Sequence, residues 1–141
     1  MPEIKQNDDG SMDLIGSDNA PLGFINAETE WLATSVGKSF FVANRHLIVK
    51  SITARVEAAG TDAGGVTAVV RKVPSGTAIT SGTALHSGSI NLKGTAATNQ
   101  ALTLSTTASD LSIPAGTAIA IDLTGTLTAA TGTVTVSLAV A

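Results

Sequence analysis

The sequence predicts an all-β fold: an antiparallel β-sandwich, or jelly roll, preceded by an extended N-terminal arm. Three observations predict it. From Lys38 onward, apolar and polar residues alternate in short runs, which is the period of a strand with one dry and one wet face. Val and Thr are frequent in those runs, and β-branched side chains pack well on a pleated surface. Gly, Ser, Asn and Pro recur between the runs, as turns between many short strands require.

Taken in order, the chain opens with "MPEIKQNDDGSMDLIGSDNAPLGF", a mixture of charges, Gly, Asn and two prolines without helical or strand period. Residues 1–34 read as an extended acidic arm and linker, and residues 35–141 as the sandwich domain. Residues 1–30 carry Glu3, Asp8, Asp9, Asp13, Asp18, Glu28 and Glu30 against Lys5 alone. From Trp31 onward four acids face seven bases. That asymmetry suits an arm ahead of a mildly basic body, ordered against a partner or simply solvated. Within the linker, "NAETEWLATSVG" has room for one helical turn, with Asn26 as cap and Glu28 and Glu30 near its positive end.

"HLIVKSITARVEA" follows as a strand whose Ile48, Lys50, Ile52, Ala54 and Val56 share one parity. "AAGTDAGG" breaks it, and "VTAVVRKV" resumes until Pro74. Then come "INLKG", "QALTLST" and "DLSI" as short strands. Ile119, Ile121 and Leu123 form a stripe that "TGTLTAATG" connects, as a loose hairpin, to Val134, Val136, Leu138 and Val140. A near-repeat punctuates this region: Val73-Pro74-Ser75-Gly76-Thr77-Ala78-Ile79 and Ile113-Pro114-Ala115-Gly116-Thr117-Ala118-Ile119. Pro at the second position and Gly at the fourth describe a turn, and Thr-Ala-Ile launches the next strand. A phosphate cradle needs clustered glycines at a helix mouth and usually a Lys, which neither copy has.

The chain has no Cys, so a disulfide framework and thiolate metal sites are excluded. Met1–Gly10 has no basic and apolar signal pattern, so export by that route is not expected. The apolar runs are too short to cross a bilayer as helices. Much of the hydrophobic share is Ala and Val, which predicts a thin core that oligomerisation would deepen.

Chemistry is sparse. His46 and His86 stand apart from other ligand types, and a zinc site needs three or four that converge. "QNDDGSMD" lacks the alternating ligands and terminal Glu of a calcium loop. No G-x-S-x-G elbow is present. Arg45, Lys50, Arg55, Arg71 and Lys72 are not interleaved with aromatics, so nucleic-acid stacking platforms are missing. No enzyme, metal or cofactor is expected, and neither nucleic acid nor membrane as partner. The single Trp and the three Phe gather at the arm–body junction. Leu22, Phe24, Trp31, Leu32, Phe40 and Phe41 there either plug one end of the sandwich or form a contact patch. The residues assigned to partner contact are Leu14, Ile15, Leu22, Phe24, Trp31, Phe40 and Phe41.

A cysteine-free, Ala/Gly/Thr-rich β chain with an acidic arm, "VTAVVRKVPSGTAI" and the closing "GTLTAATGTVTVSLAVA" resembles small tailed-phage virion proteins. It is most similar to head decoration (cement) proteins with a jelly-roll body. The resemblance implies a homotrimer on the capsid surface at threefold-type positions, bridging capsomers of the major capsid protein. It implies synthesis in the host cytoplasm, no catalytic residues and a capsid contact through the arm, here about residues 1–34. A fibre-tip or receptor-binding sandwich module is the alternative.

Overall fold

The computed structural model describes residues 3–6, 12–15 and 23–141. In chain order the strands are β1 (Glu3–Gln6), β2 (Met12–Ile15), β3 (Phe24–Trp31), β4 (Lys38–Val42), β5 (Leu47–Ala58) and β6 (Thr67–Val73). After a 3-10 turn at Ile79–Ser81 come β7 (Thr83–Ala84), β8 (Ile90–Asn91) and β9 (Thr98–Ala101). A single helical turn, α1 (Ala108–Leu111), precedes β10 (Ser112–Ile113), β11 (Ala118–Thr124) and β12 (Thr131–Val140). The fold is the expected all-β sandwich, built from two five-stranded antiparallel sheets.

One sheet runs β10-β5-β12-β3, with β9 beside β10 along the same edge of β5. The other runs β4-β11-β6-β7, with β8 beside β7 along β6. From β3 to β6 the chain changes sheet pairwise: β3 and β5 in one, β4 and β6 in the other. β11 and β12 then insert between strands laid down earlier. β1 and β2 pair with each other as a separate two-stranded ribbon, where the sequence shows no strand period.

Phe24–Trp31 is a strand, not the helical turn expected around Asn26. Its alternation decides this. Ile25, Ala27, Thr29 and Trp31 turn inward, while Phe24, Asn26, Glu28 and Glu30 turn outward. Eight consecutive pairs with β12 satisfy its ladder, more than one helical turn offers. The sheet therefore begins inside the stretch that reads from the sequence as arm and linker.

Bulges explain where simple alternation fails. Ser137 faces Ser51 but Leu138 faces Val49, so Lys50 is an extra residue in β5 and is exposed. Leu47 and Val49 point inward before it, and Ile52, Ala54 and Val56 after it. The single parity expected through Ile48 and Lys50 breaks at that bulge. A second bulge falls at Phe40, since Ile119 faces Phe41 and Ala120 faces Ser39. This lets the adjacent Phe40 and Phe41 both pack against the core.

The core lies between the sheets. Leu47, Ile52, Ile119, Ile121, Val134, Val136 and Leu138 are among its buried side chains. Trp31 is its largest member and is fully buried. Trp31 sits opposite Gly132 in the ladder. A Cβ on Gly132 would collide with the indole and with the Arg55 carbonyl oxygen. The bare glycine is thus the floor on which the ring lies.

Both copies of the repeat are turns, shifted one residue from the expected register. Thr77 N–H donates to Pro74 O, and Thr117 N–H to Pro114 O, each at 3.1 Å. Pro opens the turn and Gly holds the third position, with φ of +82° at Gly76 and +83° at Gly116. A type II turn places its left-handed residue there. The sequels differ, because Ile79 enters the 3-10 turn whereas Ala118 starts β11. Val73 pairs with Ala118, so the two corners lie side by side at one end of the sandwich.

Candidate functional site

A recess with several polar side chains lies where the chain leaves the edge of β6. It is an open cleft of about 380 Å³ lined by Thr83, His86, Ser87, Thr103, Ser105 and Asp110, among others. Its origin is a change of strand partner. Leu85 N–H donates to Val70 O at 3.0 Å, as an antiparallel ladder requires. Leu85 O instead accepts from Ser105 N–H at 3.0 Å, and Ser87 N–H donates to Thr103 O at 2.9 Å. The segment has crossed from β6 to residues 103–105, with His86 opposite Leu104.

His86, Ser105 and Asp110 meet at this cleft, which invites comparison with a nucleophile, base and acid. The hydrogen bonds assign them differently. His86 Nε2 accepts the Val70 N–H at 3.0 Å, and Nδ1 lies 3.2 Å from Ser87 O, to which it donates. Ser105 Oγ donates to Asp110 Oδ2 at 2.6 Å and accepts the Thr107 N–H at 3.2 Å. Asp110 orients the serine and not the imidazole, and both ring nitrogens are committed to backbone. In this arrangement the imidazole has no lone pair to offer a serine hydroxyl. Burial pushes His86 below its ordinary value of 6.5, the Ser87 carbonyl opposes this, and the nearby Arg71 charge adds to it.

The other candidates disperse. His46 pairs with Ser112 Oγ at 2.6 Å, fastening the β4–β5 loop to β10. Among the described residues no three His, Asp or Glu side chains converge as metal ligands. No helix among the described residues is long and apolar enough to cross a membrane. Glu28 and Glu30 share the outward face of β3 beside Thr135 and Thr133, at a shallow depression of about 400 Å³. Arg55 pairs with Glu57 on the same sheet, and Arg71 with Asp122 on the other. Lys72 Nζ donates to the carbonyls of Ser109 and Ser112, tying one sheet to the α1–β10 corner of the other.

The apolar residues grouped from the sequence take separate places. Trp31 is wholly interior, and Phe40 and Phe41 are partly buried against the core. These three pack into the core, with Trp31 at the opposite end of β3 from Phe24. Phe24 is 67% exposed at the head of β3. Leu14 and Ile15 belong to β2, and Leu22 lies outside the described residues. Val42 and Val140 are exposed near the same end as Phe24, so Val140, at the end of β12, departs from the buried stripe of Val134, Val136 and Leu138. The other edge of β3 is open: among the described residues β3 pairs with β12 and with no other strand. No sequence pattern marks an edge, because it is set by which strands lie elsewhere.

Comparison of the chain with protein-family models, with curated proteins and with solved structures finds no match.

Proposed function

We propose that the protein is a capsid decoration (cement) protein, binding the outer surface of a phage head at threefold-type positions and bridging capsomers. The observation that carries this reading is the edge of β3. It is eight residues long, pairs with β12 without a bulge, and has the exposed Phe24 at its head. Long regular edges are usually blunted by charged side chains, Pro or a bulge; β3 has no Pro, Lys or bulge, and its charges are Glu28 and Glu30 on the outward face. An extended segment of a partner can add to such an edge through main-chain hydrogen bonds. The acidic N-terminal segment enters the body at the same place.

The winding supports the same reading. β3, β12, β5 and the β9/β10 pair alternate with β4, β11, β6 and the β7/β8 pair in the nested order of a jelly roll. That is the body the resemblance implies. A trimer would multiply weak contacts through effective concentration.

The test uses particles lacking the protein, to which wild-type chain or Phe24→Asp is added back. Wild type should bind and raise resistance to heat and chelators, and Phe24→Asp should bind at least tenfold more weakly while remaining folded. If particles without the protein are equally resistant but fail to adsorb to the host, the receptor-binding alternative replaces this reading.

A further inference from the structure

We propose that His86 is an acid-operated latch: its neutral imidazole completes the β6 ladder where the main chain has departed, and protonation releases residues 84–105 from that edge. The geometry is specific. β7 pairs with Arg71 and Lys72, and β8 with Thr67 and Ala68, leaving Val70 between them. Val70 O is satisfied by the Leu85 N–H, but the reciprocal acceptor, Leu85 O, has turned to Ser105. The Val70 N–H would be orphaned in the interior, and His86 Nε2 takes the place of the missing carbonyl at 3.0 Å. His86 is 3% exposed, so the imidazole is largely shielded from solvent.

The two bonds fix one tautomer. Nε2 accepts and must be bare, whereas Nδ1 carries the proton donated to Ser87 O. A second proton has only Nε2 to go to, where it would point at another donor. The ring must then leave, and a buried N–H is left unpaired. The charged groups around it bias this in a defined way. Arg71, the next residue on β6, disfavours the imidazolium in place, and Asp122 of β11, paired with Arg71 at 2.8 Å, offsets part of that charge. Asp110, from α1, lines the same cleft, where it accepts from Ser105 Oγ, and would supply a counter-charge for an imidazolium that swings outward. Segments 83–87 and 103–106 bring no other titratable side chain. Arg71 therefore opposes the charged ring inside, and Asp110 favours it in the cleft.

The sign of the effect follows from the neutral form being the folded one. Because the folded value is below 6.5, the latch is fully closed above that pH and is lost as the pH falls through the folded value. Between the two values one proton is taken up on opening, so the opening equilibrium rises about tenfold per pH unit. The test is amide hydrogen exchange with imidazole nitrogen NMR on the full chain from pH 7.5 to 4.5. The neutral ring should show the Nδ1–H tautomer. The protection factors of Val70 and Leu85 should fall about tenfold per pH unit between 6.5 and the folded value, while that of Val136 in central β12 stays flat by comparison. His86→Gln presents an amide oxygen that does not titrate, and should abolish the slope at Val70. Asp110→Asn should shift the slope to lower pH. An Nε2–H tautomer, flat Val70 protection across the imidazole titration, or an unchanged slope in His86→Gln would each overturn the latch. If His86→Gln does not fold, the wild-type tautomer and slope decide it alone.

Discussion

Truncating Trp31 to Ala should cost about 3–5 kcal/mol, the usual loss for a large aromatic removed from a core. Trp31 is fully buried on the bare backbone of Gly132, which has no side chain to move into the space the indole leaves. Against a total stability of about 5–15 kcal/mol, this is a large fraction. The melting temperature should fall by roughly 10–20 °C, at about 2–4 °C per kcal/mol or slightly more for this size. Trp31→Phe should behave differently. The indole Nε1–H is buried without an acceptor among the described residues. An unpaired buried donor costs about 1–3 kcal/mol, and Phe removes it. The smaller ring gives up about 1–2 kcal/mol of burial, so the two effects nearly cancel. Denaturant unfolding followed by circular dichroism measures both variants. Because the chain has one Trp, intrinsic fluorescence reports on Trp31 alone in the wild type. Its emission should be blue-shifted and protected from iodide. Emission typical of a solvated indole, or an Ala variant within about 1 kcal/mol of wild type, would refute the core placement.

Gly76→Ala and Gly116→Ala should each cost about 1–2 kcal/mol, and by nearly equal amounts, since neither added Cβ meets any atom within 4 Å and the left-handed φ is the whole cost. A difference above about 1 kcal/mol in chemical unfolding would show that one corner is held by something more. The converse holds at Ala129, where φ is +60°. Ala129→Gly should be neutral to stabilising by up to about 1 kcal/mol, in contrast to a glycine placed inside a strand. Arg71 and Asp122 form a part-buried pair at 2.8 Å, with Arg71 also donating to Gly82 O. A double-mutant cycle with Arg71→Met and Asp122→Asn should give a coupling of about 1 kcal/mol that shrinks in high salt. Lys72→Met should lower the hydrogen-exchange protection of β10 without affecting β12, since the lysine ties β6 to the carbonyls of Ser109 and Ser112. Equal protection in both strands would remove that role.

The sequence by itself determined the strand class, the closing β11–β12 stripes, the absence of thiol chemistry and the corner identity of the Pro-Ser-Gly and Pro-Ala-Gly repeats. These are local properties: side-chain parity, β-branching and the φ that glycine permits. Tertiary structure decided what depends on distant neighbours. Phe24–Trp31 is polar enough to read as linker, yet eight pairs with β12 make it a strand and turn Trp31 inward. The parity of β5 reverses at Lys50 because its register with β12 shifts there, and that shift belongs to the pair of strands. His86, a solitary histidine in a Ser/Gly-rich stretch, became the most committed polar side chain of the cleft. A backbone donor sixteen residues away lost its carbonyl partner to a third strand, and the imidazole nitrogen stands in for that carbonyl.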